Sequence, residues 1–187
     1  MNKPSISPDE RNRKFLRKLQ IRNVDVQACY QCGRCSAGCP VGDYFDISVM
    51  QAVRLAAYGQ EERLLSSETI WLCAACETCA TRCPNNIDIT GLMDVLRELA
   101  LRKGIEPAQP KIADFHKSFL GSIERWGRAW EVGMIVAYKA RSRDFLGDMG
   151  LGLKMFAKGK LKLMPYSISG KSEVKDIFTG KGKEYDR

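Results

Sequence analysis

The chain has 187 residues and a mass of 21.0 kDa, room for one ordinary domain with extensions or two very small ones. Apolar residues make up 44%, enough to bury a core, and the first twenty residues hold no apolar stretch of the kind a secretory signal needs. The longest apolar runs, 70–76 and 132–138, are seven residues each, far short of the roughly 18–20 of a membrane helix. The sequence therefore predicts a cytoplasmic protein with no membrane span, in which eight cysteines need a role other than disulfide bonding.

The formal net charge of +8 is unevenly spread. Residues 1–22 carry seven basic and two acidic side chains, and residues 139–187 carry twelve and six. Residues 23–104, which hold every cysteine, carry seven basic and ten acidic ones. Basic ends invite a nucleic-acid reading through phosphate contacts, or docking on an acidic partner. No helix-turn-helix, zinc-finger or RNP-like pattern accompanies them, so no nucleic-acid partner is expected.

In chain order, Ser7, Pro8 and Glu10 make a helix start, with a capping box and proline at the first helical position. The helix behind them reads to about Gln20. Its apolar stripe of Phe15, Leu16 and Leu19 is thin for a core helix, which predicts a place on the surface or against a partner. Farther on, Phe45, Val49, Ala52, Val53 and Ala56 share one helical face, with Gly59 as a stop. Another helix starts near Asp88 or Thr90, with Leu92, Leu96 and Leu99 on its stripe and Met93 and Ala100 beside it. Arg102 and Lys103 suit its negative end, and Gly104 is the cap.

From Pro110 a stripe of Ile112, Phe115, Phe119, Ile123, Trp126, Trp130, Met134 and Ala137 steps by threes and fours. Gly121, Gly127 and Gly133 weaken it, which admits two helices with a break. Such a stripe is core or, in part, a surface for another protein of a complex. The lone histidine, His116, reads as structural. After Ser142 the chain turns Gly- and Lys-rich and reads as a segment that wraps a partner or frays when alone. No alternating run of β-branched residues occurs, so the fold is expected to be mostly α. The expected divisions are a basic helical arm at 1–22, a cysteine domain at 23–104 and a helical, basic docking extension at 105–187.

All eight cysteines fall in two copies of C-x2-C-x2-C-x3-C-P. The first is Cys29, Cys32, Cys35, Cys39 and Pro40, and the second is Cys73, Cys76, Cys79, Cys83 and Pro84. This is the bacterial-type [4Fe–4S] spacing: three closely spaced thiolates wrap one cluster, and the fourth follows a longer step. In two-cluster ferredoxins the fourth cysteine of each run serves the other cluster. That rule assigns Cys29, Cys32, Cys35 and Cys83 to one cluster and Cys73, Cys76, Cys79 and Cys39 to the second. A zinc-structured adaptor is the rival, but zinc sites usually pair two C-x2-C knuckles without a third cysteine at the next interval.

Two saturated clusters leave no site for substrate, and no Gly-rich dinucleotide loop is present, so no catalytic residue is assigned. The expected work is electron transfer. Gly33 and Gly38 allow close backbone approach. Arg34 and Arg82 either face the sulfurs, where positive charge raises a cluster's potential, or point to solvent.

The runs CYQCGRCSAGCP and WLCAACETCATRCPNNIDI, with the later AYKARSRDFLGDMGLGLKMFAKGKLKLMP, resemble the C subunit of the soluble heterodisulfide reductases of methanogens over nearly the whole chain. The resemblance implies an α-helical ferredoxin fold with an N-terminal helix and a long C-terminal helical extension. It also implies two [4Fe–4S] clusters held by all eight cysteines. Electrons would pass from a flavin-containing A subunit to a B subunit, whose noncubane clusters cleave the disulfide between coenzyme M and coenzyme B. An associated hydrogenase or formate dehydrogenase would complete the assembly. A related complex of sulfur metabolism is the alternative, and an iron–sulfur regulator that binds nucleic acid is the weaker one.

If Arg82 faces the sulfurs, Arg82→Ala lowers the midpoint of one cluster in an EPR-monitored redox titration. An unchanged midpoint assigns the arginine to solvent.

Overall fold

A computed structural model describes residues 10–142, 150, 154, 155, 157–159, 164, 165 and 167–179. The cap residues Ser7 and Pro8 and most of the Gly- and Lys-rich tail lie outside the described residues. Among the described residues every regular element is helical, so the mostly α expectation holds. No helix there is long and apolar enough to cross a membrane. The chain divides into two compact units, Met1–Pro110 and Lys111–Arg187.

The first unit contains α1 (Glu10–Ile21), a 3-10 turn (Val26–Ala28), α2 (Arg34–Ala37), a second 3-10 turn (Gly42–Tyr44) and α3 (Val49–Ala57). It continues with α4 (Glu61–Leu65), α5 (Thr69–Leu72), α6 (Thr78–Thr81) and α7 (Ile89–Arg102). Helix α3 opens on a capping box: Ser48 Oγ accepts the Gln51 N–H at 3.4 Å, and Gln51 Oε1 accepts the Ser48 N–H at 3.0 Å. Its face of Val49, Ala52, Val53 and Ala56 is buried, while Phe45 precedes the helix and is only half-buried. Helix α7 starts where the sequence places it, because Asp88 Oδ1 accepts the Gly91 N–H at 2.7 Å. Leu92, Met93, Leu96, Leu99 and Ala100 are all buried, and Gly104 takes the left-handed φ of +66° just past the end.

Helix α7 is the spine of this unit, packing against α3, α4, α5 and α6. Leu64 and Leu65 of α4 and Ile70 and Trp71 of α5 are enclosed with its inner face. Helix α1 departs from expectation. Phe15 is 1% and Leu19 0% exposed, so its narrow stripe is core. Gly59 explains the fit, since a Cβ there would collide with Asn12 of α1. An ion pair of 2.8 Å from Arg22 to Glu98 ties the chain just past α1 to α7. The exposed side of α1 keeps Arg13, Lys14, Arg17 and Lys18 in water.

The second unit is entered by α8 (Pro110–Trp126), followed by α9 (Glu131–Ser142) and α10 (Lys171–Phe178). The long stripe is thus broken in two, at Gly127 with φ +77°. Trp126 and Trp130 meet edge to face across the break at 5.9 Å. The buried positions of α8 are Ala113, Ser118 and Ser122, whereas Phe115 and Phe119 remain 41% and 38% exposed. Those two stripe phenylalanines are therefore not core. Ser122 Oγ accepts the Trp130 N–H at 2.8 Å, and Arg141 donates to Ser118 Oγ at 3.1 Å, which holds α9 to α8.

Replacing Phe15 by alanine is expected to cost about 3–5 kcal/mol, as for other buried phenylalanines. Denaturant unfolding measures it, and a cost below about 1 kcal/mol would restore the thin-arm reading of α1.

Candidate metal centre

The two cysteine runs fold alike. In each, the first cysteine closes a short helix: Cys29 after Val26–Ala28 and Cys73 after Thr69–Leu72. In each, the third sits in a one-turn helix, Cys35 in α2 and Cys79 in α6, and the fourth follows that helix. Left-handed backbone recurs on both sides of the second cysteine. Gln31 (φ 62°) and Gly33 (φ 77°) flank Cys32, while Ala75 (φ 50°) and Glu77 (φ 59°) flank Cys76. Turns of this kind aim successive N–H groups to one side and make concavities that hold anions, iron–sulfur sites among them. Only Gly33 takes that conformation without a steric cost; Gln31, Ala75 and Glu77 each carry roughly 1–2 kcal/mol of local strain.

Long-range bonds bring the runs together. Asp46, six residues past the first run, accepts the N–H groups of Glu68 at 3.2 Å and Thr69 at 3.0 Å, so it caps α5 just before the second run. The Thr69 hydroxyl lies 2.7 Å from Asp46 Oδ1 and 2.7 Å from the Ile47 carbonyl, and accepts the Ile47 N–H at 3.1 Å. Burial opposes ionisation of Asp46, but the Thr69 hydroxyl and the N–H groups of Glu68, Thr69 and Ile47 outweigh it and hold the carboxyl below the usual range. From α7, Arg97 donates to the carbonyls of Ile70 and, at 2.6 Å, Cys73. Asn85, beside the end of the second run, donates to the Ala28 carbonyl at the start of the first. These partners stand 22 to 57 residues apart, and spacing alone did not reveal Asp46, Thr69, Arg97 or Asn85.

A cavity results in which Cys39 of the first run shares a wall with Cys73, Cys76 and Cys79 of the second. Phe45, Val49, Ile89 and Met93 supply an apolar lining. Cys83 lines a different, open pocket with Arg34 and Ala37 of the first run. Cys32 and Cys76 are exposed. Among the described residues no three Cys, His, Asp or Glu side chains converge as ligands of a single metal ion.

Burial pushes the Cys35 and Cys79 thiols up, because a thiolate there loses water. The Thr78 hydroxyl, 3.4 Å from Cys76 Sγ, and the Thr78 N–H hold the Cys76 thiol down. Cys83 Sγ accepts the Ile87 N–H at 3.4 Å, and Thr90 Oγ1 lies 3.9 Å from Cys79 Sγ. Arg34 and Arg82 are both exposed. His116, on α8 of the second unit, tilts against Phe115 at 6.4 Å. Four soft sulfur donors about an apolar cavity, with N–H and hydroxyl groups turned to sulfur, fit an iron–sulfur cluster.

Residues 25–87, which contain both runs, match the family described as a 4Fe-4S dicluster domain. A domain of that family is present in the chain, and with the helical structure it makes a helical ferredoxin-like fold. The chain is 35% identical over 101 residues to the C subunit of the ferredoxin:CoB-CoM heterodisulfide reductase of Methanosarcina mazei. It is 30% identical over 106 residues to the C subunit of the H(2):CoB-CoM heterodisulfide,ferredoxin reductase of Methanothermobacter marburgensis. An iron-sulfur C subunit, numbered 2, of the CoB–CoM heterodisulfide reductase of Methanocaldococcus jannaschii is 34% identical over 104 residues. These matches take in 54%, 56% and 56% of this chain, so the likeness is narrower than the nearly full length expected from the sequence. They span 62%, 57% and 52% of the relatives' own lengths.

Glu77→Gly is expected to stabilise the protein by about 1 kcal/mol, and Gly33→Ala to destabilise it by a similar amount, because both positions hold left-handed backbone. Chemical denaturation of the metal-loaded protein checks both. Opposite signs would show that these side chains, not the backbone, decide the turns.

Proposed function

We propose that this chain, which carries a 4Fe-4S dicluster domain, is the electron-relay subunit of a CoB–CoM heterodisulfide reductase. In this reading it works in the cytoplasm of a methanogen, between a flavin-containing A subunit and a disulfide-reducing B subunit, and the substrate site is on another chain. Two [4Fe–4S] clusters are held, one by Cys73, Cys76, Cys79 and Cys39, the other by Cys29, Cys32, Cys35 and Cys83. The observation that carries the reading is the cavity shared by Cys39 and the three closely spaced cysteines of the other run. For the second set, the support is the Asn85 bond that brings the Cys83 end of the chain to Ala28, next to Cys29.

When bound, such clusters supply one-electron transfer without a substrate bond at iron. The chain's own residues do the rest. Their thiolates would saturate the iron, and Val49, Ile89 and Met93 line the cavity beside Cys39, Cys73, Cys76 and Cys79. The Ile87 N–H and the Thr78 and Thr90 hydroxyls stand at the sulfurs of Cys83, Cys76 and Cys79, where hydrogen bonds favour the more negative, reduced state. The basic segment 1–22 and the extension 105–187 dock the cysteine domain 23–104 on its neighbours. For the first, the exposed basic side of α1 is the surface concerned.

Anaerobic purification followed by iron and sulfide analysis tests this reading. About eight irons per chain and the EPR spectrum of two interacting reduced centres are expected after dithionite treatment. Capture of the tagged chain from a methanogen lysate should bring a flavoprotein and a disulfide-reducing protein. Zinc in place of iron, after growth with full iron supply, would overturn the electron-transfer role.

A further inference from the structure

One basic feature lies outside the proposed ligand sets. Arg34 and Ala37 of α2 line an open pocket together with Thr81, Arg82, Cys83 and Pro84. Arg82 is seated there: a Cβ on Gly38 would collide with its guanidinium, so the glycine leaves room for the arginine to lie on the first run's backbone. Both arginines are exposed, and none of the ion pairs among the described residues involves either one. This pairing of positive charge occurs within residues 23–104, where acidic side chains outnumber basic ones by ten to seven. At the pocket wall, Cys83 Sγ accepts the Ile87 N–H.

Two guanidinium groups without an ion pair, set side by side at one pocket beside Cys83, select a small number of carboxylates at fixed positions. We infer that this pocket is the docking point for a carboxylate-bearing surface of a redox partner protein, and that electrons cross the protein boundary beside Cys83. The inference rests on the proposed role of Cys83 as a cluster ligand and adds to it a place of exchange and a chemistry of recognition.

Small charged oxidants test it with the holo chain. The dithionite-reduced protein gives one electron to Fe(III)–EDTA, forming Fe(II)–EDTA, or to hexaammineruthenium(III), forming the ruthenium(II) ion. No bond or proton is exchanged with the protein in either case. In stopped-flow mixing at low salt, Arg34→Gln with Arg82→Gln is expected to slow the anionic oxidant about fivefold and to speed the cationic one. Both effects should collapse as salt shortens the Debye length. Arg34→Gln alone, which leaves the Arg82–Gly38 contact in place, should show about half the logarithmic effect. Arg63→Gln, exposed on α4, should show none. A second readout involves no electron transfer: hexacyanochromate(III), a redox-inert paramagnetic anion, should broaden the amide signals of Ala37 and Thr81 in the oxidised protein and not in the double variant.

Equal slowing by Arg63→Gln, unchanged rates in iron-replete pocket variants, or broadening confined to other basic residues would each overturn the docking point while leaving the relay intact. A chain that holds no iron would overturn both.

Discussion

Everything in the first unit depends on facing two cysteine runs whose first members stand 44 residues apart. The covalent chain cannot do this by itself, because 33 residues separate Cys39 from Cys73. The link is polar and local to the ends of that intervening segment. Asp46 and Ile47 on one side meet Glu68 and Thr69 on the other. The loop between them closes with α3 and α4 packed on each other, so its hydrophobic content is spent on shape. Arg97 then fixes the exit of α5 by bonding to Ile70 and Cys73 carbonyls that the short helix leaves without helical partners. A charged group is suited to this place because its hydrogen bonds are about twice as strong as neutral ones.

The same constraint explains why strained backbone persists here. Left-handed Gln31, Ala75 and Glu77 would relax in an isolated peptide. Each is held between a preceding short helix and a following one-turn helix, and the two one-turn helices pack against one another. Their repetition at equivalent positions in both runs marks the turns as a device for directing N–H groups and thiols, since chance strain would not recur in register.

Much of this was legible in the sequence. The 4Fe-4S dicluster domain was legible because its two C-x2-C-x2-C-x3-C-P runs are each local in the sequence. Helices α3 and α7 were legible because Val49, Ala52, Val53 and Ala56, and Leu92, Leu96 and Leu99, repeat at the helical period and their stops are glycines. The burial of α1 was not. A stripe of Phe15 and Leu19 is thin, and whether it is core depends on the close approach that Gly59 permits from another helix. Asp46, Thr69 and Arg97 were silent for a related reason: they act largely on backbone groups far along the chain, and a carbonyl or N–H leaves no trace in residue type.

The second unit shows where periodicity misleads. The stripe from Ile112 to Ala137 is real as a pattern, yet the hydrogen bonds that hold α9 to α8 come from small residues between its members, Ser122 accepting the Trp130 N–H and Ser118 accepting from Arg141. Ala113, Ser118 and Ser122 are buried, the two serines beneath Arg141 and the Trp130 N–H that they bond. Phe115 and Phe119 are displaced outward, where they meet each other and, for Phe115, the edge of Tyr138. Leu120, Ile135 and Val136 are exposed as well. Apolar area left in water contributes nothing to folding, so the exposed parts of these side chains add no stability to α8 and α9. Large apolar groups thus build the core beside the cysteine runs, whereas α8 and α9 meet through two serine hydroxyls and the edge of one aromatic pair.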